Sequence, residues 1–197
     1  MRLSDNQAGT VVLPGLVLVL ALFTALWAEG AVAAPESDVL EVTPEAGGGV
    51  RATAQVTFPA NPDLIRSMLT DYPHWPELFS VRMRIADLKI RDGVATTDCR
   101  IEHALIPGER RLVIESRTLP EGRIVTDLVG GDFTKYHRVW KLTPVSGGAQ
   151  THADFELVVA LDSVVPDWLV ALAMRRELEA HFRIVKEKAR ARTMSEK

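Results

Sequence analysis

The chain has 197 residues, a formal net charge of −3 and a single cysteine, Cys99. A near-neutral domain gives no electrostatic reason to bind nucleic acid. One thiol excludes an internal disulfide and a thiolate zinc site, so the fold must rest on its apolar core, for which the chain is long enough.

The N-terminus reads as an address. Met1 and Arg2 open a short polar stretch, an apolar run extends from Val11 to Ala28, and small residues follow at Gly30-Ala31-Val32-Ala33-Ala34. Cleavage after Ala33 places Ala31 and Ala33 where a signal peptidase requires small side chains. Residues 1–33 are therefore expected to be a signal peptide, and the rest of the chain to be periplasmic or secreted. The alternative is an uncleaved membrane anchor, because the run approaches the ~17–25 apolar residues that span a bilayer. Residues 34–49 carry Pro35, Pro44, Gly47, Gly48 and Gly49 among scattered acids and read as a flexible leader or an irregular edge segment.

A domain is expected over 50–192. Ala52, Ala54, Val56 and Phe58 alternate with polar residues, which marks a half-buried strand. Asn61-Pro62-Asp63 supplies a cap, a proline at the first helical position and a first-turn acid. Leu64, Ile65, Met68 and Leu69 give the buried face of this helix, and Asp71-Tyr72-Pro73 stops it. Trp75, Leu78 and Phe79 make a second helical turn. From Val81 onward the period is two. Turn signals fall at Asp92-Gly93, Pro107-Gly108, Leu119-Pro120-Glu121-Gly122, Gly130-Gly131-Asp132 and Ser146-Gly147-Gly148. They separate about six antiparallel strands. Pro166-Asp167 then opens a long helix in which Ala171, Met174, Leu178, Phe182, Val185 and Ala189 form one apolar stripe. The tail 193–197 is expected to fray.

A sheet with one apolar face needs a cover, and the long helix is the element large enough to provide it. A twisted sheet curling around one helix leaves space between them, and a ligand would occupy that space.

This order of elements resembles the helix-grip fold of the START-like (SRPBCC) superfamily, in particular its polyketide cyclase/dehydrase and coenzyme Q-binding branch. The resemblance covers residues 50–190 and rests on four stretches. They are VTFPANPDLIRSMLTDYPHWPELF with Asp71, Tyr72, Trp75 and Pro76; GDFTKYHRVWKLTP with Trp140; GGAQTHADFELVV; and the closing helix from Trp168. It implies an α+β fold in which a curved antiparallel sheet of about seven strands wraps a long C-terminal helix, with two short helices after the first strand. It also implies a cavity for an apolar ligand such as a lipid, quinone or polyketide, and no shared set of catalytic residues.

The candidate ligand-binding wall comprises Cys99, Ile101, Ile114, Ile124, Leu128, Phe155 and Leu157 on the strands. Met174, Leu178 and Phe182 join it from the helix, and Trp140 from the penultimate strand. Two polar residues are candidates to orient a ligand. His103 shares strand phase with Cys99 and Ile101. Arg138 shares phase with Tyr136 and Trp140, but the pattern at 133–142 leaves open which face points inward. Trp75, Tyr72 and Phe79 are either a cavity rim or core.

No histidine lies in an HxH or HExxH arrangement, so no metal is expected, and no cofactor. Cys99 reads as a small buried hydrophobe. His103, four residues along the strand, is ~13 Å away, too far to activate it. There is no GxSxG elbow and no phosphate loop. The helix cations Arg175, Arg176, Arg183, Lys186 and Lys188 are either a solvated face diluted by Glu177, Glu179 and Glu187 or a site of transient membrane contact. The leading expectation is an exported protein that binds a hydrophobic small molecule or lipid. The rivals are a cyclase or dehydratase using the same cavity and a structural or partner-binding domain with a filled core. Oligomeric state is not legible.

Overall fold

A computed structural model describes residues 38–195. The expected signal peptide and the apolar run lie outside them. Eight antiparallel strands form one sheet: β1 (Val39–Pro44), β2 (Val50–Phe58), β3 (Arg82–Arg91), β4 (Val94–His103), β5 (Ile106–Leu119), β6 (Arg123–Gly131), β7 (Phe133–Val145) and β8 (Gln150–Leu161), in the order β1-β2-β8-β7-β6-β5-β4-β3. Helix α1 (Pro62–Leu69) and a 3₁₀ helix (Tyr72–Leu78) follow β2, and α2 (Asp167–Ser195) closes the chain.

Local chemistry sets these elements. The Asn61 side chain accepts from the Leu64 N–H at 2.8 Å, and Pro62 needs no donor there. β2 alternates strictly, with Val50, Ala52, Ala54, Val56 and Phe58 buried. On α2, Ala171, Leu178, Phe182, Val185 and Ala189 are buried and Met174 is half-buried, as the stripe requires. The sheet's outer face is laced with ion pairs such as Arg84–Glu109 and Arg111–Asp98, so it faces water.

Two expectations need correction. Residues 39–44, read as part of a flexible leader or an irregular edge segment, form the regular edge strand β1, which brings the sheet to eight strands rather than about seven. β1 pairs antiparallel with β2 from Val39↔Gln55 to Pro44↔Val50, and Leu40 and Val42 pack on the core. The glycines therefore make a tight turn, not a linker. Gly49 has φ +91°, and a Cβ there would lie 2.4 Å from the Val159 carbonyl oxygen. Second, the turn expected at Pro107-Gly108 lies earlier, at Ala104-Leu105. Pairing passes from Glu102↔Glu109 to His103↔Ile106, so Pro107 and Gly108 form a bulge inside β5. Helix α2 is described through Ser195.

Candidate functional site

The core divides along the sheet. One cross-strand row runs Ile124↔Trp140↔Phe155↔Ala54. Phe182 of α2 closes on it edge-on, with ring centroids 5.8 Å from Trp140 and 5.4 Å from Phe155. This half is solid. The next row is Ser116↔Thr126↔Arg138↔Leu157, and from it toward the β4–β5 turn the helix stands off the sheet. The result is a cavity of about 180 Å³ between the sheet and the first half of α2.

The side chains around it are graded in exposure. Trp75, Cys99, Leu112, Ile114, Leu157, Leu178 and His181 are buried at its floor and walls, whereas Val81, Met83, Leu105 and Ile106 are half-buried at its mouth. His103 and Glu177 meet across that mouth. Nε2 of His103 is 3.7 Å from Oε1 of Glu177, and the Leu105 N–H donates to His103 Nδ1 at 3.1 Å. Ser80 donates to the other oxygen of Glu177.

The structure settles the phase of β7. Arg138 and Trp140 point inward, at 6% and 1% exposure. Arg138 Nη2 donates to the Thr126 hydroxyl at 3.3 Å, and that hydroxyl in turn lies 2.9 Å from Ser116 Oγ. The guanidinium carbon sits 4.7 Å from the Trp75 ring centroid, a cation–π contact, while Nε is buried without a partner. Trp75 is itself fixed by donating Nε1–H to the Leu69 carbonyl at 2.9 Å.

The acid–base groups around Arg138 are all pushed away from neutrality. Burial drives the Cys99 thiol up to about 11. Burial also raises Tyr136, against the opposing pull of Arg138. His181 goes the other way, down to about 4, because burial outweighs its donation from Nδ1 to the Leu78 carbonyl at 2.7 Å. Its ring stacks on Phe79 at 4.4 Å. At pH 7 the groups around Arg138 are thus a thiol, a phenol and a neutral imidazole.

Of the residues selected from sequence, Cys99, Ile101, His103, Ile114, Arg138, Leu157, Met174 and Leu178 line the cavity. Ile124, Trp140, Phe155 and Phe182 do not; they form the packed row behind it. Leu128, although paired with Ile114, also lies off the cavity. Sequence reasoning passed over His181 and Glu177. His181 follows Leu178 and Met174 at spacings of three and seven, so the stripe itself carried the signal. Nothing in the sequence marked Glu177 apart from other helix acids. Among the described residues no group of His, Cys, Asp or Glu is placed to hold a metal ion.

Comparison with known proteins fits this geometry. Residues 49–190 match the family described as polyketide cyclase/dehydrase and lipid transport. The chain belongs to that family. Solved structures similar to this family member include a START superfamily protein from Mycobacterium smegmatis (20% identity, TM-score 0.58, covering 72% of this chain and 97% of that one). A STAR-related lipid transfer protein from Xanthomonas axonopodis aligns at 14% identity and TM-score 0.61, covering 80% and 96%. The Zhui aromatase/cyclase from a Streptomyces species aligns at 12% and 0.57, covering 79% and 96%. At such identities the likeness establishes the helix-grip fold. No curated protein matches the sequence.

Proposed function

We propose that this protein is an exported binding protein that carries a hydrophobic small molecule in the cavity between its sheet and α2. One observation carries the reading: an apolar space at the sheet–helix junction, where a filled-core domain would place side chains. Its family places it among lipid transport and cyclase/dehydrase domains. Carriage is favoured because the cavity lining is largely apolar, and the buried His181 and Cys99 are held away from the neutral range in which a general acid or base works best. An apolar body gains roughly 0.8 kcal/mol per methylene buried, so useful affinity needs no reaction.

Quenching of tryptophan fluorescence by 1,4-naphthoquinone, a small neutral apolar probe, tests this. Trp75 lines the cavity, so the delipidated protein should bind with micromolar affinity. Ile101→Trp should weaken binding at least tenfold by filling the space, with a melting temperature close to the parent's. Absence of saturable binding of any apolar probe by the parent would rule out the carrier reading. Turnover of a bound polyketide-like substrate, lost on replacing His181, would favour the cyclase.

A further inference from the structure

The floor of the cavity carries a positive charge that the protein does not balance. Arg138 is 6% exposed, its Nη2 donates only to a neutral hydroxyl, and its Nε is buried without a partner. One face of the guanidinium is taken by the Trp75 ring, not by an acid. Among the described residues the only carboxylate lining the cavity is Glu177, which is held at the mouth by Ser80 and faces His103. Withdrawing a guanidinium from water without a counter-charge is strongly unfavourable, and an apolar residue of similar length would avoid that cost. Arg138 therefore needs an explanation that the protein's own contacts do not supply.

Two properties of the site define what would supply it. A planar fork of N–H donors at the end of an apolar cleft matches a planar anion that accepts two hydrogen bonds, which is the geometry of a carboxylate. The space sets the size. A dry cavity of about 150 Å³ accepts one benzene ring, and this one holds about 180 Å³.

We propose that the cavity selects small monocarboxylates taken head-first, with the carboxylate paired to Arg138 at the floor and an apolar body of about one aromatic ring reaching back to the mouth. This rests on the ligand-binding reading above and adds the charge, size and orientation of the ligand. Glu177 enforces the orientation, since a carboxylate at the mouth would meet a like charge. It disfavours dicarboxylates for the same reason.

Calorimetric titration of the full chain with 3-phenylpropionate and its neutral amide at pH 7 tests the proposal. The parent should bind the acid at least 30-fold more tightly than the amide. Arg138→Met should abolish that preference, and should melt no lower than the parent because a buried unpaired charge has been removed. Arg138→Lys, which keeps the charge without the fork, should retain part of the preference and covers the case in which the methionine variant does not fold. Equal binding of acid and amide by the parent, or an undiminished preference in both variants, would overturn charge selection while leaving a ligand-binding cavity. Failure of acid, amide and naphthoquinone alike would overturn the ligand-binding reading itself.

Discussion

His181 shows how burial and one hydrogen bond set the charge of a side chain. It is 2% exposed, and its Nδ1 proton is committed to the Leu78 carbonyl. Its pKa falls from the ordinary 6.5 to about 4. Above pH 6.5 the ring is neutral in both the folded and unfolded chains, and its contribution to stability is fully present. Between 6.5 and about 4 the unfolded chain binds a proton that the folded one refuses. Stability is therefore lost as pH falls through this window, at a rate approaching ~1.4 kcal/mol per pH unit. Urea denaturation of the parent at pH 7 and pH 4.5 should show this loss. His181→Gln, which keeps a donor for Leu78 but cannot be protonated, should show less of it. Equal slopes for the two proteins would mean that other groups govern the acid limb.

At the scale of elements, α2 does two jobs along its length. Its first half stands over the cavity with Met174 and Leu178, and its second half seals the packed row with Phe182 and Val185. The rings of Trp140, Phe155 and Phe182 interlock at tilted and edge-on angles, the arrangement aromatic pairs prefer. Phe182→Ala should cost ~3–5 kcal/mol in chemical denaturation, since little around that site can collapse into the void. Met174→Ala, half-buried and facing open space, should cost clearly less. A Phe182→Ala variant as stable as the parent would show that the packed half does not hold the helix to the sheet.

Across the described residues 38–195, the sheet is packed against α2 at one end and hollow at the other, with the β4–β5 turn lining the hollow end. The first described strand, β1, is an edge strand and contributes Leu40 and Val42 to the core. Cleavage after Ala33 would leave that strand whole, so the proposed export signal and the fold are compatible. The buried, protonated Cys99 needs no disulfide partner in an oxidising compartment. N-terminal sequencing of protein from the envelope or the medium should begin at or near Ala34. An intact Met1 on membrane-bound protein would show that residues 11–28 act as an anchor.

The sequence by itself determined the element types, their order and most of the inward faces. Period-two and period-3.6 patterning is a local consequence of which residues must be dry, and it named the α2 stripe and the β2 face directly. It also chose eight of the cavity residues, because a wall lies on the same face as a core. It did not separate wall from core. Ile124 and Ile114 have the same strand phase and the same burial, yet only Ile114 faces open space; that depends on where α2 lifts from the sheet. The edge strand β1 was hidden by Pro44 and by the glycines of the turn that follows it, since its pairing is with β2 beyond that turn. The phase of β7 was undecidable because Arg138 lies on the apolar face as a cation, and local pattern reads a cation as outward. Tertiary structure turned it inward: Tyr136, Arg138 and Trp140 lie opposite Val159, Leu157 and Phe155 of β8, whose inward face is fixed by its own apolar alternation.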